Sequence, residues 1–135
     1  MGSSISVLHN KSIYLSYDDT SRDLEIQHFM TYLNKLIMNS QIKMSKNDIN
    51  IMNDSETDIL IFLISKGSIN NPRQSKEINN AYCRKSIFID LDGTLNFLNN
   101  KNLSDNEKTI FINRNEHNDY DQIMTIIMYK LQESL

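Results

Sequence analysis

The chain predicts an α/β protein: a five-stranded parallel sheet in the order 2-1-3-4-5 with helices on both faces, the flavodoxin-like arrangement. Three observations carry this. Ile59-Leu60-Ile61-Phe62-Leu63-Ile64 is apolar without alternation, the pattern of a central parallel strand buried on both faces. Other short strand-like runs alternate with segments at helical spacing, which implies parallel strands joined by crossover helices. At 135 residues the chain fits one domain, spanning 1–135, with residues 1–10 expected as a flexible lead. With five strands the common order places the switch point between strands one and three.

The elements follow in order. Ser12 to Ser16 reads as the first strand and Tyr17-Asp18-Asp19-Thr20-Ser21 as a polar turn. Thr20 and Asp23 have capping-box-like spacing, with Asp in place of Glu. Ile26, Phe29, Met30, Leu33, Leu36 and Ile37 then form the apolar face of a long helix. Gln41 to Met44 is a short second strand, and Ser45 to Thr57 leaves room for a helical turn or two. Asp58 to Ser65 is the third strand. Arg73 to Arg84 is a helix burying Ile78, Ala81 and Tyr82. Ser86 to Leu91 and Lys108 to Asn113 are strands four and five, separated by an Asn-rich stretch. Asn118 caps a last helix, with Asp121 at its third position and Ile123, Met124, Ile127, Met128 and Leu131 toward the core.

Composition narrows the function classes. Net charge is −3 and no basic stretch has the density of a nucleic-acid footprint. The one cysteine, Cys83, leaves no disulfide framework and no thiolate metal site; it reads as a small core residue in a reducing compartment. No apolar run approaches the ~18 residues of a membrane span, and no signal-peptide pattern opens the chain, so no stable membrane insertion is expected and the expected location is cytoplasmic. Gly2 and Ser6 fit the myristoylation pattern, which matters only in a eukaryotic cell. Asn10-Lys11-Ser12 spells a glycosylation sequon, moot without secretion.

The switch-point loops are Tyr17–Asp23 and Lys66–Arg73, both polar. Ligands of open α/β sheets bind in the crevice at such loops. Glu77 lies just behind the second, in the first turns of a short helix. A carboxylate there can stabilise positive charge developing on a substrate; the plain alternative is an exposed helix charge.

Other constellations compete. Asp18-Asp19 resembles the metal site of a phosphorylation receiver domain, but Ser65 and Asn113 stand where that domain needs an aspartate and a lysine. The plain alternative is a solvated turn that caps a helix. Asp90-Leu91-Asp92-Gly93-Thr94 looks like the nucleophile motif of haloacid-dehalogenase-type phosphatases, in which one Asp attacks phosphorus, the other is a general acid and Mg²⁺ holds the charge. It falls on the fourth strand, too late for the family's later motifs; the alternative is a strand end running into a turn. His9, His28 and His117 are dispersed and none has a partner at metal-ligand spacing, so no metal site is expected; His28 is expected on the polar side of the first helix.

Nearly the whole chain resembles the Toll/interleukin-1 receptor (TIR) domain family, mostly its compact bacterial-type members. Ile13-Tyr14-Leu15-Ser16-Tyr17-Asp18, with Asp23 beyond, looks like the opening strand "(F/Y)-h-S-Y" and its acidic turn. Leu63-Ile64-Ser65, followed by Lys76-Glu77-Ile78 and Ala81, looks like "h-h-S … S-x-W-x-x-x-E-h". Lys85-Ser86-Ile87-Phe88-Ile89-Asp90 then reads as the fourth strand. Two departures stand out: Arg73 occupies the tryptophan position, and the segment between strands two and three is short and lacks a Pro-Gly.

The resemblance implies a TIR fold and one of two activities. One is NAD⁺ cleavage at the nicotinamide–ribose bond, giving ADP-ribose or a cyclic product, in defence or cell-death signalling. Glu77 would then be the catalytic carboxylate, with Ser16, Tyr17, Asp18 and Ser65 lining the pocket. Arg73 is placed to contact the diphosphate, a role that comes from its position and not from the family. NAD⁺ is a substrate here, and no cofactor or metal is required. The other activity is that of a non-catalytic adaptor or decoy acting through TIR–TIR contacts. Self-association is expected under either, and an Mg²⁺ phosphatase using Asp90 and Asp92 is the lesser alternative.

Overall fold

The computed structural model describes residues 11–38, 42–52, 57–81, 84–94, 109–113 and 120–132. Within them lie strands β1 (Ser12–Ser16), β2 (Lys43–Lys46), β3 (Ile59–Ile64), β4 (Ser86–Asp90) and β5 (Thr109–Asn113). The helices are α1 (Leu24–Met38), α2 (Ile49–Met52), α3 (Pro72–Asn80) and α4 (Tyr120–Gln132), with a 3₁₀ segment at Lys66–Asn70. Gly2, Ser6, His9, Asn10, Tyr82, Cys83, His117 and Asn118, on which expectations were placed, lie outside the described residues.

The sheet has the order β2-β1-β3-β4-β5, every neighbouring pair parallel. Pleating sends successive residues to opposite faces, and two cores follow. Ile13, Leu15, Ile59, Ile61, Leu63, Ile87, Ile89 and Ile112 face Ile26, Phe29 and Leu33 of α1 and Ile123, Met124 and Ile127 of α4. Tyr14, Leu60, Phe62, Ile64 and Phe88 face Met52 of α2 together with Ile78 and Ala81. Phe62 and Phe88 stack at 4.6 Å between centroids. Every residue of β3 is buried, as its unalternating pattern requires.

Several boundaries differ from expectation. β2 is displaced toward the C-terminus of the expected Gln41–Met44 and pairs Lys43 with Ser12 and Lys46 with Leu15. It is an edge strand of half-exposed residues, so hydropathy marks its ends poorly. Asn47, at a φ of 55°, ends it. Helix α1 is capped by Asp23 itself, whose Oδ1 accepts from Glu25 N at 2.9 Å. Thr20, expected as the cap, instead serves Asp18. Helix α3 opens on Pro72 at its first position, where a missing N–H costs nothing, behind the N-cap Asn71, whose Oδ1 accepts from Gln74 N at 3.0 Å. It stops at Asn80. Arg84, expected inside it, donates through its side chain to the carbonyls of Met52 and Thr57. Among the described residues no helix is long and apolar enough to cross a membrane.

Candidate functional site

Helix α3 turns Gln74, Glu77 and Ile78 toward the sheet, at the spacing of one helical stripe, and Ala81 follows at its C-cap. Two members of that stripe are polar, and Glu77 is 0% exposed. A buried carboxylate is costly unless it is paired and hydrogen-bonded, so its partners define the site.

β1 supplies two of them. Tyr14 and Ser16 alternate with Ile13 and Leu15, so they face α3 while their neighbours face α1 and α4. The Tyr14 hydroxyl donates to Glu77 Oε2, and Ser16 Oγ donates to Oε1 at 2.7 Å. Arg73, one turn earlier on α3, donates through Nη1 to Oε1 and completes an ion pair. All three partners donate to the Glu77 carboxyl oxygens. Burial pushes the Tyr14 phenol well above its ordinary range, and the hydrogen bond to Glu77 and the charge of Glu77 push it further.

The three partners differ in access. Tyr14 and Ser16 are 0% exposed, whereas the Arg73 side chain is 27% exposed. Its second nitrogen, Nη2, donates to the Tyr17 carbonyl at 2.5 Å and lies 3.3 Å from Asp19 Oδ1. Arg73 therefore closes Glu77 on its solvent side and ties α3 to the loop after β1.

A second polar cluster braces this edge of the sheet. Asp18, only 1% exposed, accepts from Thr20 N at 3.1 Å, Thr20 Oγ1 at 2.6 Å, Ser21 Oγ at 2.5 Å and Asn71 Nδ2 at 2.8 Å. Burial alone would raise its carboxyl; the bonds from Ser21, Thr20 and Asn71 outweigh burial and hold it well below the usual carboxylate range. Gly67 packs so closely on Asp18 that a Cβ there would overlap the carboxylate. Asn71 thus caps α3 with one end of its amide and grips Asp18 with the other. Gln74 Nε2 donates to the carbonyls of Ser16 at 3.2 Å and Leu63 at 3.0 Å, joining α3 to both central strands. A groove of about 370 Å³ runs beside the cluster, lined by Ser21, Arg22, Asp23, Lys66, Gly67 and Asn70.

Comparison of the chain with protein-family models, with curated proteins and with solved structures gives no match in any of the three.

The residues singled out in the sequence fall into three positions. Ser16, Arg73 and Glu77 meet directly. Tyr17 and Asp18 flank them, but Tyr17 offers only its carbonyl, since its ring packs on the α1–α4 core. Asp18 connects through Asn71. Ser65 is buried at the end of β3, its N–H donating to Ser68 Oγ at 3.1 Å. Tyr14, Asn71 and Gln74 were not foreseen, although each had a signal. Tyr14 shares strand parity with Ser16, Asn71 precedes Pro72, and Gln74 lies one turn before Ile78.

The phosphatase-like segment is a turn. Asp90 Oδ1 accepts from Gly93 N at 2.9 Å, with Gly93 at a φ of +85° that favours glycine. Asp92 accepts from Thr94 N, Thr94 Oγ1 and Lys66 N, the last at 2.8 Å. Among the described residues no group of three His, Cys, Asp or Glu side chains is placed to hold a metal ion. His28 is exposed on α1.

Proposed function

We propose that this protein is a TIR-type enzyme that cleaves the nicotinamide–ribose bond of NAD⁺, with Glu77 as the catalytic carboxylate. The observation that carries the reading is the placement of Glu77: a carboxylate in the buried stripe of α3, against the face of β1 that carries Tyr14 and Ser16, with a donor on each oxygen. A helix charge with no task beyond solubility would sit on the exposed side.

The chemistry is glycosidic. The C1′–N bond breaks heterolytically, its electron pair leaves with neutral nicotinamide, and positive charge spreads over the ribose C1′ and ring oxygen. A fixed carboxylate beside the ribose lowers the energy of that cation. Tyr14 and Ser16 hold Glu77 in one orientation and need no rearrangement during the step. Water then adds at C1′ and loses a proton to give ADP-ribose, or an adenine nitrogen of the same molecule adds to give a cyclic product. The setting implied by the resemblance is defence or cell-death signalling in the cytoplasm, with assembly through TIR–TIR contacts.

One observation favours a second reading, a non-catalytic interaction module. Arg73 completes the enclosure of Glu77, as it would if the ion pair served only to fix α3 on the sheet. Nicotinamide release from NAD⁺ separates the two. The Glu77→Gln variant is the control, since it keeps the side-chain volume. Release by the wild type that is lost in folded Glu77→Gln supports the enzyme; equal or absent release supports the module.

A further inference from the structure

We infer that Arg73 is a phosphate-operated gate: the guanidinium masks Glu77 until a diphosphate-bearing ligand draws it away, so that Arg73 selects dinucleotides over nucleosides. The inference rests on the NAD⁺-cleaving reading for its natural ligand, and on geometry alone for the gate.

Three observations build it. First, among the described residues, of the side chains that hydrogen-bond the Glu77 carboxylate only Arg73 reaches solvent: Tyr14 and Ser16 are 0% exposed and the Arg73 side chain is 27% exposed. A ligand approaching Glu77 must therefore displace the guanidinium. Second, the carboxylate is not stranded when that happens. Oε2 keeps the Tyr14 donor and Oε1 keeps the Ser16 donor, the latter at 2.7 Å. Arg73 is the removable member of the three. Third, the outer nitrogen of Arg73 is held by acceptors that phosphate oxygens can replace, the neutral Tyr17 carbonyl at 2.5 Å and, at 3.3 Å, the half-exposed carboxylate of Asp19.

The guanidinium fork matches phosphate oxygens in a bidentate manner, and each such bond is charge-assisted. A diphosphate offers two negative groups where Glu77 offers one. It can hold the fork at the loop after β1, beside Tyr17 and Asp19, while the ribose end takes the vacated place against Glu77. A nucleoside has no group to open the gate. This gives Arg73 a specificity-determining role at the position where the TIR resemblance leads one to expect tryptophan.

The test titrates inorganic pyrophosphate into the full-length, isotope-labelled protein at physiological salt. It follows the Arg73 Nε resonance, assigned by its loss in Arg73→Lys. The expected result is a saturable shift of that resonance with pyrophosphate and none with adenosine. Affinity should fall by about tenfold or more in Arg73→Lys, which keeps the charge but lacks the fork. Asp19→Asn, a change at a half-exposed side chain, should tighten pyrophosphate binding a few-fold by freeing the outer nitrogen, roughly as expected for a surface pair. An Arg73 resonance unmoved by saturating pyrophosphate, or Arg73→Lys binding as well as the wild type, overturns the gate. A second arm compares nicotinamide release from NAD⁺ and from nicotinamide riboside. The preference for NAD⁺ should be at least about 100-fold and collapse in Arg73→Ala; an unchanged preference overturns the gate. Pyrophosphate binding at Arg73 without cleavage of NAD⁺ keeps the gate and removes the enzyme reading, and cleavage with Arg73 unmoved does the reverse.

Discussion

Ser16 Oγ donates to Glu77 Oε1 at 2.7 Å across 61 residues of sequence, so the end of the first strand and the second turn of α3 are fixed to each other through a carboxylate. The contact exists because two periodicities coincide. The pleat of β1 sends Ser16 and Tyr14 to one face, and the stripe of α3 brings Glu77 down on that face. The carboxylate is held by donors on both oxygens before any ligand arrives.

Removing one donor tests that arrangement. Tyr14→Phe keeps the ring among Met52, Leu60 and Ile78 but leaves Oε2 without its hydroxyl. The expected cost is about 1–3 kcal/mol in urea denaturation, the penalty for a buried acceptor left unpaired. A loss near zero would mean that Tyr14 does not support Glu77.

The same hydroxyl gives an alkaline signature. The folded phenol is held above its unfolded value by burial and by Glu77. Its contribution to stability is therefore complete below the unfolded pKa, about 10, and is lost as pH rises beyond it. Stability should fall above pH ~10, and the fall should be shallower in Tyr14→Phe than in the wild type.

Asp18 gives the acid counterpart. Its folded carboxyl lies below the unfolded value because the bonds from Ser21, Thr20 and Asn71 outweigh burial. The stabilisation is present above the unfolded pKa, about 4, and disappears as pH falls through the folded one. Asp18→Asn should cost stability at neutral pH and flatten the decline in chemical-denaturation midpoint below pH ~4.

Gly67→Ala probes the brace from the other side. The added methyl meets the Asp18 carboxylate, which four hydrogen bonds hold in place. Overpacking of this kind costs about 1–3 kcal/mol. A thermal midpoint equal to the wild type would show that the Asp18 loop yields freely.

The fold was largely legible in the chain because its strongest signals are periodic. Ile59–Ile64 announces a strand buried on both faces, strands alternating with helices imply a parallel sheet, and β2-β1-β3-β4-β5 is the common order for five such strands. What escaped was set by tertiary contact. The edge strand β2 takes its register from Ser12 to Leu15 and not from its own hydropathy. The start of α3 is set by Asn71 and Pro72, which place it one residue before the expected Arg73. At the site, topology points to Glu77 just behind the second switch-point loop, and Ser16 enters through the TIR resemblance; the bond between them appears only in three dimensions. Tyr14 was not legible, since a tyrosine inside an apolar strand reads as core until a carboxylate is found opposite its hydroxyl. The position of Arg73 in the sequence suggests a diphosphate contact; its ion pair with Glu77 emerges only in three dimensions.

The role proposed for Glu77 is that of catalytic carboxylate in NAD⁺ cleavage. Its most direct test is nicotinamide release from NAD⁺ by concentrated wild-type protein beside Glu77→Gln, with the folding of both checked by circular dichroism. The expected result is release by the wild type and a loss of at least about 100-fold in the folded variant. Release that survives in Glu77→Gln, or none from the wild type when assembly is forced by crowding, would contradict it.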